Sequence, residues 1–195
     1  MTEERPSPFA HKPTLTGESV VLRPLDLAAD AEALRDLLTD PEISRFANGE
    51  AQEGRSAWTA EREQMMREWY GSRNEQSDRL DLAVVDRATG QCVGEAVLNQ
   101  WNPDRQSCNF RIGLTAAGRD RGLGSEAVRL IVGHGFEQLK LHRISLGVFA
   151  NNPRARRAYE KAGFVLEGTH REALFIDGAW VDDLSMAMLA SDWKP

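Results

Sequence analysis

The residues best suited to chemistry lie in one window, Arg119-Asp120-Arg121-Gly122-Leu123-Gly124-Ser125-Glu126-Ala127. Glycines at the mouth of a helix let backbone N–H groups approach an anion that the helix dipole also favours, so the spacing reads as a phosphate cradle. It is not a Walker A loop, because no Gly-Lys-Ser/Thr follows at the required distance. Gly122-x-Gly124-x-x-Ala127 also fits the loose dinucleotide fingerprint, but that turn follows its strand at once, and here residues 115–121 intervene. The next strand runs into Asn151 and Asn152 instead of an acidic residue for a ribose. Glycines in this pattern can also serve a loop alone.

Arg119-x-x-Gly122-x-Gly124 at a helix start resembles the pyrophosphate loop of the GNAT N-acetyltransferase superfamily. A later stretch, Asn152-Pro153-Arg154-Ala155-Arg156-Arg157-Ala158-Tyr159-Glu160-Lys161-Ala162-Gly163-Phe164, is similar to that family's Asn-x-x-Ser-x-x-x-x-Glu-Lys-x-Gly-Phe. Val20-Val21-Leu22-Arg23-Pro24-Leu25, the Asp40-Pro41 step and Gly178-x-Trp180-Val181-Asp182-Asp183 resemble the RimJ/RimL-type branch, the protein N-terminal acetyltransferases and their relatives. The resemblance runs from about Thr16 to Trp193. It implies a GNAT-like α/β (α+β) fold, with a mixed, mostly antiparallel, seven-stranded sheet, splayed central strands and helices on both faces. It also implies acetyl-CoA as co-substrate, direct transfer without a covalent enzyme intermediate, and no metal. By this resemblance the amides of Arg121, Gly122, Leu123, Gly124 and Ser125 hold the pyrophosphate, with Arg119 supporting the loop or the phosphates. Ile112 and Leu114, on the splayed strand, would pair with the pantetheine arm like an added strand, and Asn152 would bond the same arm or cap its own helix. Arg154, Arg156 and Arg157 read as a solvated basic face.

Acetyl transfer requires a neutral amine, a donor for the developing oxyanion and a proton for the departing thiolate. Tyr159 stands where many members of the family carry a tyrosine that protonates the CoA sulfur; the same residue also reads as a packed helix aromatic. Many RimJ/RimL-type sequences place Glu before the Ile-Gly pair of the splayed strand, whereas this chain has Arg111 there, and Ala155 replaces the serine of the later motif. Glu95, on a neighbouring strand, is the first substitute for the missing base, and Asp182 and Asp183 are weaker ones. A poor base penalises a lysine side chain, with reference pKa about 10.4, more than an α-amine near 7.7–8.0, so the acceptor leans toward a peptide N-terminus or another low-pKa amine. Arg111 opens other readings: an acidic group on the acceptor, or a longer acyl donor such as succinyl-CoA. A catalytically silent CoA-binding sensor is the alternative from a different class.

These residues need a scaffold. Residues 19–25 read as a strand, followed by a helix repeating Ala31, Leu34 and Leu38 and closed by Asp40-Pro41. A second amphipathic stretch, residues 56–70, carries Trp58, Met65 and Trp69 on one face. Residues 80–85, 92–99 and 108–114 form an antiparallel meander. Ala127, Leu130, Ile131 and His134 repeat at helical spacing over residues 125–139, with His134 a core residue instead of a catalyst. A strand over 143–149 leads to a helix over 152–162 ended by Gly163, and two strands follow around Asp177-Gly178. Residues 1–15, rich in Pro, Ser and Glu, read as a flexible N-terminal arm, and residues 16–195 as a single acetyltransferase domain.

The 195 residues suit one domain, and 41% hydrophobic with 28% charged residues excludes collagen-like or wholly disordered chains. A net charge of −6 argues against nucleic acid as a partner and suits attraction of a cationic amine. No window approaches the roughly 18 apolar residues of a membrane span, and residues 1–13 contain no apolar signal core, so no membrane partner and a cytoplasmic location are expected. Cys92 and Cys108 flank a hairpin out of register with each other and read as reduced thiols; the four histidines form no ligand cluster. Edge strands and exposed tryptophans leave a homodimer open.

Overall fold

A computed structural model of the chain describes residues 7–47 and 58–195. Its strands are β1 (Leu15–Thr16), β2 (Val20–Pro24), β3 (Leu80–Asp86), β4 (Cys92–Asn102), β5 (Ser107–Leu114), β6 (Arg143–Phe149), β7 (Val165–Ile176) and β8 (Ala179–Leu189). The helices are α1 (Leu27–Thr39), α2 (Pro41–Ala47), α3 (Ala60–Gly71), α4 (Leu123–Glu137) and α5 (Pro153–Ala162). The strands make one sheet in the order β1-β2-β3-β4-β5-β6-β8-β7. Every neighbouring pair is antiparallel except β5–β6, which is parallel. The expected mixed, mostly antiparallel sheet is present; the strand beyond the expected seven is the two-residue β1.

Alternation along the central strands assigns the two faces. Leu80, Leu82, Val84, Ala96 and Leu98 join the core that packs against Ala127, Val128, Ile131 and Val132 of α4. Ala83 and Val85 point the other way and pack with Leu34 and Leu37 of α1 and Met66 and Tyr70 of α3. β3 is therefore buried along its whole length. Gly135 lets α4 settle close to the sheet, since a Cβ there would lie 2.8 Å from Ile144 Cδ1.

Two helical faces differ from the sequence pattern. On α1 the buried residue near the end is Leu37, and Leu38 is exposed. On α3 the buried pair is Met66 and Tyr70, while Met65 and Trp69 face outward. Trp69 is covered by a cation instead of the core, for the Arg73 guanidinium lies 3.6 Å from its ring centre. Half-buried Trp58 donates its indole N–H to Glu63 Oε2 at 2.9 Å, and Ser56 falls outside the described residues. His134 is half-buried with Nε2 unpartnered among the described residues, and burial lowers its pKa, as does nearby His11.

The flexible-arm expectation is corrected for residues 7–15. Phe9 is fully buried and meets Trp101 edge-on at 5.7 Å. Lys12 Nζ donates to the carbonyls of Phe9, Gln76 and Arg79 at 2.8, 2.6 and 2.5 Å. One aromatic and one lysine thus find partners that polar local composition does not reveal. Removing a buried phenylalanine side chain typically costs about 3–5 kcal/mol, so Phe9→Ala should lower unfolding free energy by that order in urea titration; an unchanged midpoint would remove Phe9 from the core.

Candidate active site

β5 and β6 hydrogen-bond in register only at Ser107–Arg143, Cys108–Ile144 and Asn109–Ser145. Beyond these pairs the strands part, although β5 continues to Leu114 and β6 to Phe149. The facing backbone edges are left without each other as partners, an arrangement that an extended ligand can satisfy. Phe110, the first residue past the last pair, packs 6.1 Å from both Tyr159 and Phe164 on the α5 side of the sheet. A cleft of about 300 Å³ passes through this gap. Ile112, Gly113 and Leu114 line it from β5, Gly147 and Val148 from β6, and Asn152, Ala155 and Tyr159 from α5 and its start.

The α4 N-terminus closes one end. Gly122 holds φ at 81°, in the left-handed region that glycine adopts without penalty, and caps the helix with no side-chain hydrogen bond. The first helical amide bonds run from Glu126 N to Gly122 O at 3.2 Å, so the amides of Leu123, Gly124 and Ser125 have no intrahelical acceptor. A Cβ on Gly124 would lie 2.9 Å from Leu114 Cδ1, so glycine here permits the close approach of α4 to β5.

Arg119 fastens this loop. Its Nε donates to Leu114 O at 2.9 Å, and its terminal nitrogens reach Glu42 at 2.9 Å and Asp40 at 2.6 Å. These contacts tie the loop to the end of β5 and to the α1–α2 junction. Arg121 turns to Asp86 at 2.8 Å and to Ala117 O at 3.1 Å, and Leu123 is buried in the core, so neither side chain lines the cleft. Asn152 Oδ1 caps α5 by accepting from Ala155 N at 3.1 Å, and the residue borders the cleft. Arg154 is exposed, as its place on a solvated face implies, and also borders the cleft, where it joins Glu42 and lies 3.6 Å from Asp120; Arg156 stays outside, paired with Glu160. Sequence reasoning missed Glu42, Ile43 and Phe46 of α2, whose only forewarning was the Asp40-Pro41 step.

Tyr159 is buried, which pushes its phenol up to about 12, and among the described residues none hydrogen-bonds its hydroxyl. The structure does not bring Glu95 to the cleft. Its Oε1 lies 3.0 Å from the Arg111 guanidinium, Tyr70 covers it from α3, and Oε2 has no partner among the described residues. Burial raises its pKa against the opposing pull of Arg111. The expectation of a substitute base at Glu95 is therefore corrected to a buried, ion-paired carboxylate. Asp182 Oδ1 accepts from Glu172 N at 2.8 Å and serves the β7–β8 hairpin, whose turn reaches α2 through Asp177 and Arg45 at 2.9 Å. Both cysteines are free, and burial pushes Cys92 up to about 11 and Cys108 up to about 12. Among the described residues no group of His, Cys, Asp and Glu is placed to hold a metal, and no helix is long and apolar enough to cross a membrane.

Comparison with known proteins agrees with this geometry. The family model for the acetyltransferase (GNAT) domain matches residues 19–165. The probable N-acetyltransferase YjcK of Bacillus subtilis is 31% identical over 182 residues, covering 91% of this chain and 98% of that protein. The spermidine N(1)-acetyltransferase of Vibrio cholerae is 32% identical over 110 residues, 56% of this chain and 64% of its own. A crystal structure of spermidine N-acetyltransferase from Vibrio cholerae in complex with CoA and spermine superposes with a TM-score of 0.77 at 26% identity, covering 90% of this chain and 98% of that one.

A branched side chain at Gly124 would press on Leu114 and fill the cleft. Gly124→Val should weaken CoA binding by about tenfold or more in calorimetry, and undiminished affinity would count against the cradle.

Proposed function

The chain belongs to the GNAT acetyltransferase family and is an N-acetyltransferase; we propose that acetyl-CoA binds with its pyrophosphate on the amides of Arg121 to Ser125 and that the acceptor amine enters from the opposite face of the splay. The observation that carries this is the conjunction of an α4 N-terminus with no side-chain cap and an unpaired β5 edge, both lining one cleft. Anion docking at the first and strand-like pairing at Ile112 and Leu114 along the second would set the thioester between the lips of the gap. The opening residues 20–25, the Asp40-Pro41 step and the closing Gly178-x-Trp180-Val181-Asp182-Asp183 segment support placement in the RimJ/RimL-type branch.

Acetyl-CoA supplies a thioester carbon open to attack by a neutral amine. The amine nitrogen bonds to that carbon, the carbon–sulfur bond breaks, the amine gives up a proton to solvent, the sulfur receives one from Tyr159, and Tyr159 regains its proton from solvent before the next turnover. A phenol raised to about 12 stays protonated across neutral pH, so the donor is loaded whenever the thiolate leaves. Its raised pKa also sets a sign: activity lost through Tyr159 ionisation appears only as pH climbs toward that value, and none of it appears on the acid side.

Incubating the protein with acetyl-CoA, succinyl-CoA and a library of amines and peptides, read by mass spectrometry, should yield an N-acetyl product with equimolar CoA thiol. CoA binding without thiol release would make the protein a sensor. Tyr159→Phe should lower kcat by roughly 10²-fold, the low end for a lost general acid, with acetyl-CoA affinity preserved; unchanged kcat would remove that role.

A further inference from the structure

The parallel register of β5 and β6 fixes which residues face each other across the gap. The last pair is Asn109–Ser145, so Arg111 and Gly147 each stand two residues further on, at one level of the splay and on the face away from α4. Arg111 is 44% exposed and is steadied at one nitrogen by Glu95. Gly147 has no side chain, and the space is used by Asp183 of β8: a Cβ on Gly147 would lie 3.3 and 3.7 Å from its two carboxylate oxygens. Asp183 is half-buried and, among the described residues, its carboxylate has no hydrogen-bond or ion-pair partner. A guanidinium and a free carboxylate thus stand on opposite lips of the gap.

The charges behind each lip sharpen the contrast. Around Arg111 the ionic groups are buried Arg73, Asp81 and Glu95 and half-buried Arg79. Arg79 occupies Asp81 at 2.6 Å, and Arg73 has a neutral side-chain partner, Gln76 Oε1 at 2.9 Å, with its Nε buried and unsatisfied among the described residues. Three arginines face two carboxylates on that wall, so it favours an anion, whereas the Asp183 lip favours a cation or an N–H donor.

Resting on the N-acetyltransferase reading above, we propose that the acceptor is an amine that also carries a carboxylate, an amino acid or a close analogue, with its amine on Asp183 and its carboxylate on Arg111. Asp183 accepts a hydrogen bond from the amine and holds the nitrogen at the mouth of the gap, and Arg111 selects for the acid. A polyamine places positive charge against the Arg73–Arg79–Arg111 wall and is a poor acceptor.

The test compares kcat/KM, with acetyl-CoA as donor, for free L-amino acids, the corresponding amino-acid amides and spermidine. Free acids should exceed their amides by about tenfold or more, and Asp183→Asn should raise the amine KM by a similar factor while acetyl-CoA affinity stays within about threefold. Asp182→Asn serves as the control that leaves amine KM unchanged. Arg111→Met should erase the acid-over-amide preference. Because that change strands buried Glu95, Arg111→Met/Glu95→Gln is measured beside it and should lose the same preference. Amides or spermidine turning over as well as the acids, or variants that keep the wild-type ratio, would overturn this assignment while leaving the acetyltransferase reading standing. CoA binding with no thiol release for any of these amines would overturn both.

Discussion

Backbone N–H and C=O groups that leave a sheet inside a protein need other partners, and β5 and β6 part company after only three pairs, the last at Asn109 and Ser145. That interruption is the constraint from which the rest of the site follows. It opens the cleft, frees the edge that carries Ile112 and Leu114, and brings the faces of the sheet into communication at one place. The aromatic group Phe110, Tyr159 and Phe164 fills the wedge on one side, so the same packing that supports the parted strands also sets a phenol at the cleft.

Holding such a gap open requires that its rim be tied down elsewhere. Arg119 does this by joining the end of β5, the C-cap of α1 and the start of α2 through Leu114 O, Asp40 and Glu42. Arg119 and Asp40 are mostly buried, and stranding one member of a buried pair costs about 3–5 kcal/mol, so the loop geometry is strongly coupled to that knot. Glu42 then carries the connection onward to Arg154 on α5. The loop that opens α4 is thereby positioned by side chains distant in sequence and has no side-chain cap of its own, which leaves its first amides without an intrahelical acceptor.

What the sequence disclosed was mostly local. Gly122 at positive φ, Gly163 ending α5 and Asp177-Gly178 turning the last hairpin are short-range features, and each announces itself by residue type. The order of strands and helices followed from periodicity for the same reason. What stayed hidden depended on contacts between distant segments. The buried face of α3 turns on Arg73 covering Trp69, the burial of Phe9 on Trp101, and the enclosure of Glu95 on Tyr70 and Arg111. Asp183 looked no better than Asp182 until the fold placed the carboxylate of one over Gly147 and engaged the other with the hairpin backbone.

The central claim is that the pyrophosphate of CoA is held by main-chain nitrogens between Arg121 and Ser125. Titrating isotope-labelled protein with CoA and following backbone amide resonances tests it most directly. The account requires the largest shifts at those amides, followed by residues 110–114 along the free edge of β5. Saturable binding that leaves residues 121–125 unmoved, or no binding at all, would contradict it.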